Sequence, residues 1–114
     1  MKKITDIKLS KKDRQGIAAA VKLLREQFPV EEVVLFGSKA RGTDDPESDI
    51  DLLILTSHQI NWQERHRLID ALFDIELAYD VVISTLVVPK EEWEQGYWRV
   101  LPITDEIEKD GVAA

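Results

Sequence analysis

Cysteine is absent from the 114-residue sequence, which excludes disulfide bonds and thiolate metal sites. No apolar run approaches the ~18 residues of a transmembrane helix, so we expect no membrane association. The N-terminal stretch MKKITDIKLSKKDR has lysines but no apolar segment of signal-peptide length. Together these absences predict a cytoplasmic protein.

Positive charge is also scarce, because 15 Lys and Arg residues stand against 22 Asp and Glu, for a formal net charge of −7. Tight binding to DNA or RNA needs a basic surface that neutralises several phosphates. We therefore expect no nucleic-acid partner. Lys39 and Arg41 are a local basic exception, and two such residues suit a small phosphate ligand better than a polymer.

The length allows one hydrophobic core, so residues 1–114 are predicted to form a single domain with loose ends at 1–9 and 112–114. No repeat, low-complexity tract or linker divides the chain. Helical and strand patterns alternate along it. This alternation favours a mixed α+β fold, in which a small mixed sheet of three to four strands is packed with helices.

Local signals place the elements of this fold. Capping and stop signals predict helices at 10–28, 61–76, 89–94 and 104–110, with a brief one at 38–42. Apolar runs predict strands at 33–36, 50–55 and 80–84, and 86–88 either extends the last of these or forms another. Ser10 and Asp13 resemble a capping box at the start of the first helix. In the 61–76 helix, Ile69, Leu72 and Phe73 are expected on the inner face.

Two carboxylates adjoin an otherwise apolar strand. Asp49 and Asp51 are two residues apart, so their side chains leave the same face of that strand. An ionised carboxylate in a buried strand is unfavourable unless a cation compensates it. Oxygen ligands without sulfur favour Mg²⁺ or Mn²⁺. Asp80, at the start of the third predicted strand, could approach the same site from a neighbouring strand.

Gly37 and Ser38 follow the first predicted strand directly and are typical of a phosphate-binding turn. Glycine lets the backbone approach a phosphate closely, and free amides at the start of a helix attract anions. The Ser38 hydroxyl adds a hydrogen bond, and Arg41 supplies positive charge. Lys39 is either a further phosphate contact or a solvated loop charge. Beside the acid pair, this turn indicates a site for a metal-bound nucleoside triphosphate.

The motif GSKARG…SDIDLLIL, in which Gly-Ser is followed after ten residues by Asp-x-Asp, resembles the nucleotidyltransferase superfamily of DNA polymerase beta. Its short form is similar to the minimal nucleotidyltransferases (MNT) of prokaryotes, which are often the antitoxin partners of helical HEPN-type proteins. The resemblance implies a set of catalytic metal ligands, which are Asp49, Asp51 and Asp80. It also implies a set of triphosphate contacts, which are Gly37, Ser38, Lys39 and Arg41.

The same resemblance implies a reaction, in which a nucleoside monophosphate, AMP from ATP, is transferred with Mg²⁺ or Mn²⁺ to a hydroxyl group. The chain has no room for a second, acceptor-binding domain, so a HEPN-type partner protein is expected to supply the acceptor. The alternative is a non-catalytic antitoxin that neutralises its partner by contact. Trp93, Tyr97 and Trp98 are either core residues or part of a partner interface.

Overall fold

The order of helices and strands follows the alternation seen in the sequence. The computed structural model of the protein describes residues 1–43 and 47–114. Within these ranges there are five α-helices, which are α1 (Lys11–Gln27), α2 (Gly37–Arg41), α3 (Trp62–Tyr79), α4 (Lys90–Gln95) and α5 (Pro102–Asp110). The same ranges contain five strands, which are β1 (Lys2–Lys3), β2 (Val30–Phe36), β3 (Ile50–Thr56), β4 (Ile83–Pro89) and β5 (Val112–Ala113).

In the part of the chain that the structure describes, the five strands form one sheet in the order β1-β5-β2-β3-β4. β2 runs antiparallel to β3, whereas β4 runs parallel to β3. Parallel neighbours need a long crossover connection, which the 18 residues of α3 supply. The prediction of a mixed α+β fold is confirmed, but the sheet has five strands rather than three or four.

The two short terminal strands account for this difference. β5 pairs antiparallel with β2 and parallel with β1. Val112 is fully buried, and the Ala114 N–H donates to the Val33 carbonyl over 3.0 Å. The prediction that 112–114 is a loose end is therefore wrong, because these residues complete the sheet. Residues 1–9 are only partly loose, since Lys2 and Lys3 pair with β5 and a 3₁₀ turn follows at Ile4–Asp6.

Alternation along β3 divides the core into two faces. Ile50, Leu52 and Ile54 point to the face covered by α1 and α3, which we call the α1–α3 face. Leu53 and Leu55 point to the opposite face, covered by α4 and α5, which we call the α4–α5 face. Because side chains alternate with a period of two, Asp51 of β3 belongs to the α4–α5 face, and Asp49 directly precedes the strand.

Helix α3 differs from its predicted form at its end and on its inner face. Asn61 caps it as predicted, because the Asn61 Oδ1 accepts the Glu64 N–H over 2.8 Å. The helix continues to Tyr79, and β4 begins only at Ile83 rather than at residue 80.

The predicted inner face of α3 is only partly right. Leu68 and Leu72 are buried, but Ile69 and Phe73 are exposed. Apolar residues occupy both sides of this helix, so spacing alone could not identify the buried one. Of the helices in 1–43 and 47–114, none combines the length and apolar character needed to cross a membrane.

Candidate active site

The strand pairing brings the two halves of the motif together. Phe36, the last residue of β2, is the register partner of Asp51 on β3, so Gly37 lies directly beside the Asp51 carboxylate. Gly37 has a φ of +77°, and a Cβ atom at this position would collide with Oδ2 of Asp51. Both the left-handed backbone and the close approach therefore require glycine here.

The two acids of the motif interact electrostatically. Asp49 is exposed just before β3, and Asp51 is half-buried. Burial raises the pKa of Asp51, the Asp49 carboxylate raises this pKa further, and the Arg41 guanidinium lowers it. The ionised form of Asp51 is thus disfavoured by its surroundings, and a cation near the acid pair would relieve this.

Arg41 is the last residue of α2, and its guanidinium interacts electrostatically with Asp51. Its Nη1 is 3.5 Å from Oε1 of Glu106 on α5. Both side chains are more than a third exposed, and such a pair contributes less than about 1 kcal/mol to stability. Arg41 can therefore leave Glu106 for an anionic ligand at little cost.

Lys39 lies in the protein interior, and its interpretation as a solvated loop charge is wrong. Its side chain is 1% exposed, and its Nζ is 2.8 Å from Oδ2 of Asp13 near the start of α1. This contact ties the short helix that carries Gly37 and Ser38 to α1. The capping box is present only in part, because Ser10 accepts the Asp13 N–H while the Asp13 carboxylate accepts from Lys39.

The structure places Asp80 at the end of α3 rather than on a strand. It adopts a left-handed conformation with φ 56°, its side chain is 98% exposed, and its Oδ2 is 3.7 Å from Nζ of Lys12. The register partner of Asp51 on β4 is Ser84, which sequence reasoning did not single out.

Among the described residues, no three His, Cys, Asp or Glu side chains are grouped so that they could hold a metal ion. The structure thus brings Asp49 and Asp51 together without grouping Asp80 with them. A role for Asp80 as a metal ligand stays a prediction.

The acid pair fits a magnesium ion that binds together with its substrate. Mg²⁺ is commonly held by one or two carboxylates and takes its other ligands from water and substrate phosphates. The raised pKa of Asp51 is caused partly by Asp49, and a bound divalent cation would compensate both carboxylates. A glycine turn, an arginine and two acids at one end of the sheet can position a triphosphate and its metal.

Comparison with known proteins agrees with this arrangement. The profile of the family described as "Polymerase beta, Nucleotidyltransferase" matches residues 19–94. This range covers two thirds of the chain and includes Gly37, Ser38 and the acid pair.

Two curated relatives come from Methanocaldococcus jannaschii, and both are candidate protein adenylyltransferases. MJ0141 is 39% identical over 61 residues, which are 54% of this chain and 62% of that relative's length. MJ0604 is 32% identical over 81 residues, which are 69% of this chain and 76% of that protein. The chain thus spans somewhat less than two thirds of MJ0141.

Solved structures of similar fold have lower sequence identity. A toxin–antitoxin crystal structure with AMP-PNP has a TM-score of 0.60 at 21% identity, covering 91% of this chain and 72% of that one. A complex of a tri-AMPylated Shewanella oneidensis HEPN toxin with an MNT antitoxin has a TM-score of 0.54 at 19% identity, covering 88% and 69%. A candidate nucleotidyltransferase from Sulfolobus solfataricus has a TM-score of 0.55 at 23% identity, covering 93% and 87%. At these identities the likeness concerns the fold.

Proposed function

The chain belongs to the polymerase beta nucleotidyltransferase family, and from that premise we propose that it transfers AMP from ATP to a hydroxyl group of a helical, HEPN-type partner protein. One observation carries the proposal, namely the contact of the Gly37 turn with the Asp51 carboxylate beside Asp49. Supporting it, the curated relatives are candidate protein adenylyltransferases, and neighbours in fold include MNT–HEPN assemblies.

We assign the triphosphate to the turn at Gly37 and Ser38, where backbone N–H groups and the Ser38 hydroxyl donate to phosphate oxygens. Arg41 supplies positive charge near Asp51. Asp49 and Asp51 would hold Mg²⁺ or Mn²⁺, and such a cation would supply charge neutralisation for the triphosphate and the leaving group. The buried Lys39 acts through Asp13, by fixing the position of α2.

In the proposed reaction the acceptor hydroxyl oxygen forms a bond to the α-phosphorus of ATP. The bond from the α-phosphorus to the oxygen bridging to the β-phosphorus breaks, and pyrophosphate leaves with that bond's electrons. The hydroxyl proton passes to a carboxylate or to water. We keep Asp80 as the proposed proton acceptor, because its 98% exposed side chain is accessible to a bound partner.

A second candidate function is contact neutralisation without transfer. Two observations favour it: Asp80 is not grouped with the acid pair, and the turn at Tyr97–Val100 exposes apolar surface beside α4 and α5. Tyr97 and Val100 are 70% and 78% exposed, whereas Trp93 is buried against Trp98 with ring centroids 5.8 Å apart. Of the aromatic residues whose role the sequence left open, Trp93 is a core residue and Tyr97 is available to a partner.

Intact mass measurement of the partner separates the two functions. The chain is incubated with ATP, Mg²⁺ and its HEPN-type partner, and the partner is expected to gain the mass of one or more AMP groups. Asp49→Asn/Asp51→Asn should bind the partner but leave its mass unchanged. Glu26→Gln/Glu31→Gln also removes two carboxylates, both exposed and remote from the Gly37 turn, and should retain transfer.

Growth protection by co-expression provides the second readout. If transfer is the function, Asp49→Asn/Asp51→Asn loses protection although the complex still forms. Full protection by this variant, with no AMP on the partner in the parent complex, would reject the enzyme in favour of contact neutralisation.

A further inference from the structure

The outward face of α3 carries a row of apolar side chains that the described residues leave exposed. Trp62, Ile69, Phe73 and Leu77 are 72%, 48%, 54% and 68% exposed. Their spacing of seven, four and four residues places them on one side of the helix. His66 fills the gap, with its ring centroid 6.2 Å from that of Trp62. We call this set the α3 stripe.

The α3 stripe is larger than the scattered surface hydrophobic residues of an ordinary monomer. Single exposed apolar side chains need no explanation, but a continuous row bordered by charges marks an interaction surface. Its exposed parts amount to on the order of 500 Å². A standard interface buries about 800 Å² per partner, so the stripe together with its charged borders is large enough for a concentration-dependent complex.

Four charged side chains beside the stripe differ in sign between the two halves of the helix, and Glu64 of the first turn lies on the side away from the stripe. Arg65 and Arg67 lie in its N-terminal half, and Asp70 and Asp74 lie in its C-terminal half. In residues 1–43 and 47–114, none of these four side chains forms an ion pair with another described residue. Each is therefore available to a partner with the opposite order of charge.

We propose that the partner is a second copy of this chain, bound through an antiparallel, two-fold pairing of the α3 helices. A two-fold axis between Ile69 and Asp70 places Trp62 of each copy opposite Leu77 of the other. His66 then meets Phe73. Such an interface is self-complementary, as the symmetry of a dimer requires.

The charge order selects the antiparallel arrangement. Around this axis, residues on one border of the helix face the same border of the second copy, so Arg67 lies between Asp70 and Asp74 of the second copy. A parallel two-fold pairing would instead set each border of the helix against the other border of the second copy at the same level, which places Arg67 near Arg65 and Asp74 near Glu76. Opposite charges attract across an interface, and juxtaposed like charges are unfavourable.

The location of α3 favours a second copy over the partner that accepts AMP. Helix α3 packs on the α1–α3 face through Leu68 and Leu72, whereas Asp51 belongs to the α4–α5 face. An acceptor hydroxyl must reach the acid pair and Asp80, which follows the last residue of α3, so its carrier is expected to dock at that end of the sheet rather than along the length of α3. Dimerisation centred on the middle of α3 leaves that end open, and the dimer does not depend on the proposed reaction.

Sedimentation equilibrium of the full chain, from about 1 µM to about 500 µM, tests the dimer. The parent is expected to shift from monomer to dimer across this range. Phe73→Glu should weaken dimerisation at least about 100-fold, because the two-fold axis places each substitution in the interface twice. Tyr97→Glu, an equally drastic change at an exposed aromatic residue near α4 and α5, should dimerise like the parent.

A charge exchange tests the antiparallel geometry. Arg67→Asp alone and Asp74→Arg alone should each weaken dimerisation about tenfold, because each sets like charges against each other. The double variant Arg67→Asp/Asp74→Arg restores opposite charges across the two-fold axis and should regain most of the affinity. Circular dichroism and thermal unfolding confirm that each variant is folded.

Three results would overturn the proposal. The first is a parent that remains monomeric at the highest concentration, and the second is a folded Phe73→Glu variant that dimerises like the parent. The third is a charge-exchanged double variant no better than its single variants, which would reject the antiparallel pairing. Loss of partner binding in Phe73→Glu, with the parent chain monomeric, would assign the stripe to the partner instead.

Discussion

The ammonium group of Lys39 lies 2.8 Å from the carboxylate of Asp13, and both side chains are buried. The two residues are 26 positions apart, and their contact joins the helix that follows β2 to the first helix of the chain. A buried pair stabilises little in itself, but removing Asp13 takes away a carboxylate in direct contact with the buried Lys39 ammonium, which is unfavourable. The position of α2, and with it the Gly37 turn, therefore depends on Asp13.

We expect Asp13→Ala to lower the free energy of unfolding by about 3 kcal/mol, measured by urea denaturation. Lys12→Ala is the matched control, because it breaks an exposed ion pair on the same helix and should cost less than about 1 kcal/mol. Asp13→Leu/Lys39→Met should recover much of the loss, since it removes both charges. Equal effects of Asp13→Ala and Lys12→Ala would show that the Lys39 charge does not depend on Asp13 for its compensation.

Gly37→Ala should abolish nucleotide binding and destabilise the fold, because an alanine Cβ would collide with the Asp51 carboxylate. Gly42→Ala is the control, since Gly42 has nearly the same φ, +75°, but open space around its Cβ position. Both variants carry left-handed strain of about 1 kcal/mol, and Gly37→Ala should lose at least about 2 kcal/mol more. Calorimetric titration with ATP and thermal unfolding measure both effects, and similar losses in the two variants would contradict the close contact.

The raised pKa of Asp51 predicts a pH dependence of stability. In the folded protein this carboxyl keeps its proton to a higher pH than in the unfolded chain, whose pKa is near 3.8. Ionisation of Asp51 therefore favours the unfolded state. The contribution of this carboxyl to the free energy of unfolding falls as the pH rises from the pKa of the unfolded chain through the pKa of the folded protein. Asp51→Asn does not titrate, so it should gain stability relative to the parent between about pH 4 and about pH 7.

Urea midpoints of parent and Asp51→Asn at both pH values measure this difference. Asp49→Asn removes the second cause of the raised pKa and should reduce the pH dependence without abolishing it. If the stability of the parent relative to Asp51→Asn increased with rising pH, the pKa of Asp51 would be lowered in the folded protein rather than raised.

Metal binding should depend on nucleotide. We expect Mg²⁺ to bind the parent weakly alone and at least about tenfold more tightly with ATP, because substrate phosphates complete its shell. Calorimetry on Asp49→Asn/Asp51→Asn should show that this enhancement is lost. Equal metal affinity in the parent and the double variant would show that Asp49 and Asp51 do not bind the metal. Asp80→Asn tests the third acid, since an unchanged enhancement would exclude it as a ligand.

The sequence predicted best where the determinants are local. Asp51 is on β3 as predicted and interacts electrostatically with Asp49, which precedes the strand, and Gly37 follows β2 because its positive φ ends the extended run. The Lys39–Asp13 pair escaped prediction, because no local pattern connects residues on two different helices.

Short or ambiguous patterns account for the other differences. A two-residue strand such as Val112–Ala113 has no periodicity to detect, and its burial depends on β2 being beside it. On α3, the apolar side chains at 69, 73 and 77 have the spacing of a buried face. Which face is actually buried depends on packing against β3, and the sequence of the helix alone does not show this. Asp80 precedes an apolar run, which predicts a strand, although α3 continues to the residue before it.

The antiparallel pairing of β2 with β3 has a consequence for folding. The segment that joins these two strands contains only the short helix α2. By contrast, β3 and β4 are joined through the whole of α3, and β5 lies at the end of the chain. Closing a short connection loses less chain entropy than closing a long one, so we expect β2 and β3 to pair first. The Gly37–Asp51 contact lies at the end of that pairing. The residues proposed for nucleotide binding should therefore become ordered early in folding and open only with global unfolding, with amide exchange in β3 as slow as any in the protein.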